Sequence, residues 1–169
     1  MVYFVSTTYL KDSTIVANNV DDKILTPAIR SASDAYVRTI IGVHFYNILL
    51  TKFNNQTLNP SEVILVQEYL KPAIAWRASA DVVVAASYQS TNKGIQIQTG
   101  DFSSSPEYKA IMFVHHHASD RASFYEDILQ RWLYENRNTY PDFMSDLNKD
   151  ALARRCEPNN LFDQSIILI

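Results

Sequence analysis

Glycine is scarce in this 169-residue chain. There are 3 glycines, Gly42, Gly94 and Gly100, where an average usage of about 7% would give about twelve. Neither the dinucleotide-binding motif G-x-G-x-x-G nor the phosphate-binding loop G-x-x-x-x-G-K-[ST] can be written with them. Nucleotide-binding folds that depend on those loops are therefore nearly excluded, and a low-glycine, alanine-rich chain predicts mostly helical structure.

Cysteine, long apolar runs and excess charge are also lacking. The single Cys156 cannot form an internal disulfide or a cysteine zinc cluster, which fits a protein made in a reducing cytoplasm. No stretch reaches about 18 uninterrupted apolar residues, and the start of the chain has no basic segment, so we expect neither a membrane span nor a signal peptide. With 15 Lys+Arg against 18 Asp+Glu and no basic stripe, tight binding to nucleic-acid phosphates is disfavoured.

The first long helix is predicted to begin at Thr26-Pro27, a capping hydroxyl before a proline at the first helical position. Residues at spacings of four and three then form one seam from Ala28 to Phe53, over about seven turns. Because Gly42 in mid-helix costs about 1 kcal/mol relative to alanine, we expect a close helix crossing or a bend at that point.

The second helix has the clearest start signal in the chain, Asn59-Pro60-Ser61-Glu62. Asparagine is a good N-cap, proline suits the first helical position, and a glutamate three residues after the cap completes a capping box. Residues 63–86 are apolar on almost every face, which predicts burial in the core or against another subunit. Pro72 predicts a kink over residues 68–71, and Arg77 and Asp81 have the spacing of an i,i+4 ion pair.

An unusually long connector over residues 88–105 separates the second helix from the third. Its middle, residues 93–100, alternates apolar and polar side chains with a period of two, which predicts a strand in an exposed hairpin. Ser105-Pro106 then predicts the start of a third helix that ends near Arg137, with Pro141 beyond it. Its apolar stripe is flanked by a predicted solvated face that includes Asp120 and Glu126.

These signals predict a mainly α fold: a bundle of three long helices with a β-hairpin-like excursion between the second and third. The predicted parts are an N-terminal arm over residues 1–21, a helical domain over 22–140 with its excursion at 88–105, and a C-terminal extension over 141–169. The extension ends in an apolar, β-prone run that seldom faces water. The residues predicted to contact a partner or a neighbouring subunit are Lys93, Ile95, Ile97, Arg77, Asp81, Ile166, Ile167, Leu168 and Ile169.

Motifs for catalysis are weak. Consecutive helical residues point about 100° apart, so His115, His116 and His117 cannot converge on one metal ion. We expect one of them in the core stripe and two at an interface or the surface. There is no G-x-S-x-G nucleophile motif and no pair of Glu-x-x-His motifs for a di-iron site. The sequence therefore predicts no enzyme, no metal and no cofactor.

A resemblance to a known family rests on the helical body, residues 21–137. The opening helix carries a recurring pattern of hydrophobic residues and one glycine, here Asp21, Ile24, Ile29, Ala35, Gly42 and Tyr46. Together with the capped helix at Asn59-Pro60, this arrangement resembles the head–tail connector (adaptor) proteins of tailed bacteriophages. The excursion and the segment after Pro141 are similar to versions found in phages of Bacteroidetes-type hosts, including crAss-like phages.

The resemblance implies a structural virion protein of the phage neck, synthesised in the host cytoplasm. Such a protein forms a ring, usually of twelve copies, beneath the portal protein, and contacts tail or further neck proteins. DNA passes through the ring without specific binding, and no membrane is involved. Ring subunits contact two neighbours through different patches and need apolar surface beyond their own core.

Two alternatives stay open. One is another neck component, a tail-completion or stopper protein, which binding to portal rings would distinguish from an adaptor. The other is a small helical enzyme or ligand-binding bundle that uses the region of His115, His116 and His117.

Overall fold

The computed structural model describes residues 3–91, 94–97 and 108–143, and this part of the chain is mainly helical. Its α-helices are α1 (Thr7–Ser13), α2 (Asp22–Ser31), α3 (Arg38–Ile41), α4 (Val43–Asn54), α5 (Pro60–Ile64), α6 (Lys71–Ser87) and α7 (Tyr108–Glu135). A π-helical segment, Ala32–Val37, joins α2 to α3, and a second one, Leu65–Leu70, joins α5 to α6.

The first predicted long helix is broken into two rods. It begins earlier than predicted, because Asp21 caps α2 by accepting a hydrogen bond from the Lys23 N–H, and Pro27 lies inside the helix. It ends at Gly42, whose φ of 88° and ψ of 144° separate α3 from α4. A residue with a Cβ is strongly disfavoured at such angles. The glycine therefore marks a break between two helices, a sharper interruption than a bend.

The second helix begins as predicted. The Asn59 side chain accepts from the Glu62 N–H at 2.8 Å, and the Glu62 carboxylate accepts from the Asn59 N–H at 2.9 Å, so the capping box is confirmed. The π-helical segment Leu65–Leu70 lies immediately before Lys71-Pro72. Proline lacks the N–H that an α-helical ladder requires, which accounts for the altered hydrogen bonding here.

The predicted fold class, a bundle of three long helices with a β-hairpin-like excursion, is wrong. Two short strands, β1 (Tyr88–Thr91) and β2 (Gly94–Ile97), form a local antiparallel ladder in which Tyr88 lies opposite Ile97. Among the described residues, the core draws on the helices, on the N-terminal segment and on Tyr140 and Phe143 after α7. A bundle of three long helices with a hairpin excursion therefore does not describe a fold of shorter rods interrupted at Gly42 and at two π-helical segments.

The N-terminal segment contributes to the core. Phe4 and Leu10 are buried, and the Phe4 ring packs edge-on against Tyr46 with 5.4 Å between ring centroids. At the other end of the described chain, Tyr140 and Phe143 are buried against Phe45. Residues from both flanks of the predicted central domain thus close over the same helices.

Two buried phenols predict a loss of stability at high pH. Burial raises the pKa of Tyr46 and of Tyr140 to about 12, against about 10 in an unfolded chain. Between these values the unfolded state releases the protons and the folded state holds them, so the free energy of unfolding falls as pH rises.

We expect urea denaturation to show a smaller loss between about pH 10 and about pH 12 in Tyr46→Phe than in the unsubstituted chain, because phenylalanine does not ionise. An equal loss of the free energy of unfolding in both proteins would show that ionisation of Tyr46 does not contribute to it.

Candidate subunit interface

A charge network joins the two longest α-helices. Arg77 of α6 donates from Nε to Glu126 Oε1 of α7 at 2.8 Å and from Nη2 to Oε2 at 2.6 Å. Both side chains are 14% exposed, and the guanidinium also lies 4.4 Å from the centroid of the Tyr36 ring. A bidentate pair of this kind fixes both distance and orientation. The network therefore ties α7 to α6 at this point.

The electrostatics of the network follow from these contacts. Hydrogen bonding to Glu126 raises the pKa of Arg77, so the guanidinium stays charged. Burial raises the pKa of the neighbouring Asp81, opposed by a hydrogen bond with Ser31 and by the charge on Arg77. The ion-pair partner of Arg77 is thus Glu126, 49 residues away, and the i,i+4 pairing with Asp81 inferred from spacing does not describe the geometry.

The three histidines diverge. His115 is half-buried, and its Nδ1 lies 3.1 Å from the Ala80 carbonyl oxygen of α6. His116 and His117 are exposed. Within the described residues, no three His, Cys, Asp or Glu side chains are grouped so that they could hold a metal ion.

The N-terminal two thirds of α7 carry large apolar side chains that face solvent. Phe113 is 74% exposed and Phe124 is 56% exposed. Beside Phe113 lies a shallow apolar depression, lined by Ile15, Val83, Phe113, Val114 and His117. The sequence analysis did not predict this apolar surface, because it described the solvated side of α7 by its charged residues. The 11-residue separation of Phe113 and Phe124, three helical turns, was the available signal.

A second exposed apolar surface lies on α5. Val63 is 41% and Ile64 49% exposed. The Tyr140 hydroxyl, which follows α7 in the chain, donates to the Ser61 carbonyl oxygen of α5 at 2.9 Å. The α5 surface therefore lies near the C-terminal end of α7. At about 1.5 Å per residue, Phe113 is roughly 30 Å from that end.

The predicted contact residues fall into three groups. Arg77 forms an ion pair with Glu126 of the same chain, and Asp81 is half-buried beside Arg77. Ile95 and Ile97 lie in β2, opposite Ser90 and Tyr88. Outside the described residues lie Lys93, Ile166, Ile167, Leu168 and Ile169.

The described residues form a mainly helical protein with exposed apolar surfaces on α5 and on α7. No described helix has the length and apolar character needed to cross a membrane. Residues 37–151 match the model of DUF6712, a family of unknown function, and the chain belongs to that family. No curated protein matches the chain, and neither does any solved structure.

Proposed function

We propose that this protein is a structural component of a tailed-phage neck, an oligomeric ring that joins the portal of the head to the tail and lets DNA pass. The proposal takes its function from the sequence resemblance of residues 21–137 to head–tail connector proteins. The structural observation that supports it is the presence of exposed apolar surfaces on α5 and on α7, where Phe113 and Phe124 face solvent.

Their positions suit a ring. In a cyclic assembly each subunit presents one surface to the neighbour on one side and a different surface to the neighbour on the other side. Val63 and Ile64 lie near one end of α7, and the depression formed by Ile15, Val83 and Val114 lies towards the other end. Apolar side chains this exposed gain free energy when a partner covers them, at about 25 cal/mol per Å² of apolar area.

The acidic balance of the chain also supports the proposal. The formal net charge is -3, and a channel that DNA slides through must not hold its phosphates by a dense basic lining.

The experiment is the native mass of the purified chain, alone and with the portal protein of the same phage, by native mass spectrometry. We expect a ring of many copies, or a small species that becomes a ring on the portal. Ile64→Asp should reduce ring formation at least tenfold, because it places a charge in the apolar contact. Asn47→Asp, which adds the same charge at an exposed polar site of α4, should leave ring formation unchanged.

Neither variant should change the free energy of unfolding by more than about 0.5 kcal/mol, since both sites are at the surface. A chain that ignores the portal and forms no ring would refute the proposed function.

A further inference from the structure

Four exposed residues of α7 form a second seam on the helix. Phe113, His117, Asp120 and Phe124 follow one another at spacings of four, three and four, so they share one side of the helix, and all four are exposed. The buried residues of α7 lie on roughly the opposite side, at Ile111, Ala118, Ala122, Leu129 and Leu133. A seam with this spacing is the pattern by which one helix packs against another.

The order of residues in this seam is self-complementary. When a second copy of the helix lies antiparallel to the first, Phe113 lies opposite Phe124 of the other copy, and His117 lies opposite Asp120. Two antiparallel copies therefore bring two aromatic pairs and two imidazole–carboxylate pairs together at once. An imidazole N–H donates to a carboxylate in either protonation state, and phenylalanine pairs stabilise a contact beyond the apolar area that they bury.

We propose that two copies of this chain pair through antiparallel α7 helices, with the seam Phe113–His117–Asp120–Phe124 of one copy against the same seam of the other. The contact is isologous, as expected for a two-fold dimer. It rests on the geometry of α7 and is independent of the proposed neck function.

The pair is a weak one. After Phe124 the same side of α7 continues with Asp127 and Arg131, both exposed, so the apolar contact is limited to about three turns. Interfaces below about 1,200 Å² in total are those of transient complexes, and we expect a dissociation constant on the order of 10 µM. Since Phe113 and His117 also line the depression beside α7, the pair and any other partner at that depression exclude each other.

Sedimentation velocity over a range of about 1 to 200 µM tests the pairing. The full chain should shift from monomer to dimer across this range. Phe124→Ser should raise the dissociation constant at least tenfold. Tyr108→Ser removes another exposed aromatic of α7, 64% exposed and away from the seam, and should leave it unchanged. A chain that is monomeric throughout, or an equal effect of the two variants, would overturn the proposal.

A charge exchange tests the antiparallel register. His117→Glu should weaken the dimer, because the new carboxylate faces Asp120 of the other copy twice, and Asp120→Lys should weaken it by placing a cation opposite His117. An equimolar mixture of the two variants restores a Glu–Lys pair and keeps a His–Asp pair in the mixed dimer. The mixture should therefore associate more tightly than either variant alone, and its failure to do so would overturn the antiparallel register.

The outcomes of these experiments can be distinguished from those that test the neck proposal. Loss of the dimer in Phe124→Ser with unchanged ring formation on the portal supports the α7 pair alone. A normal dimer that never forms a ring refutes the neck function and leaves the α7 pair standing.

Discussion

Replacing Arg77 with methionine is expected to lower the free energy of unfolding by about 2–4 kcal/mol, between the loss for an exposed ion pair and that for a fully buried one. The substitution keeps the aliphatic volume but leaves the Glu126 carboxylate, 14% exposed, without its cation. It also removes the guanidinium that lies against Tyr36. Thermal denaturation should show a decrease in Tm of roughly 4–16 °C, at about 2–4 °C per kcal/mol for a chain of this size.

The double variant Arg77→Met/Glu126→Met should recover most of the lost stability, because no unpaired charge is then buried. A matched control is Arg30→Met. Arg30 pairs with Asp34 at 3.6 Å, but its side chain is 72% exposed, so the expected loss is below about 1 kcal/mol. If Arg77→Met and Arg30→Met had equal effects, the network would not tie α7 to α6.

Replacing Gly42 with alanine is expected to cost about 1–3 kcal/mol, because φ at this position is 88° and a Cβ meets the neighbouring carbonyl oxygen there. Gly42 is also buried. Gly42→Leu should therefore cost more than Gly42→Ala, since overpacking adds to the backbone strain. Urea denaturation of both variants measures these losses.

Gln56 is the matched control, because it is a non-glycine residue with a φ of 57°. Gln56→Gly relieves a left-handed conformation at an exposed site and should raise stability by up to about 1 kcal/mol. A stable Gly42→Ala variant would show that the break between α3 and α4 does not depend on glycine.

Local signals in the sequence were sufficient where a structure is decided by neighbours in the chain. The capping box at Asn59 and Glu62 involves residues three apart, so their identities and spacing predict it. The divergence of His115, His116 and His117 follows in the same way from the helical repeat. Glycine at position 42 was recognised as unusual, but composition does not distinguish a bend from a complete break, because that depends on backbone angles.

Tertiary structure decided the features that involve distant residues. Glu126 was assigned to a solvated face because it lies among charged residues of α7. It is largely removed from solvent because Arg77, 49 residues earlier, provides the compensating charge that a desolvated carboxylate requires. In the same way, Phe4 and Tyr46 lie far apart in the chain, and their contact makes the N-terminal segment part of the core.

The sequence by itself determined that this is a mainly helical protein without nucleotide-binding loops, disulfides or a motif for metal catalysis, since composition and short-range spacing suffice for those conclusions. Only the tertiary structure decided which apolar side chains stay exposed. The spacing of Phe113 and Phe124 is compatible with burial or exposure, and the choice depends on which side of α7 packs against α6. That choice is made by long-range contacts, because Leu129 and Leu133 pack in the common core and Glu126 pairs with Arg77 of α6, whereas Phe113 and Phe124 have no such partners among the described residues on their side of the helix.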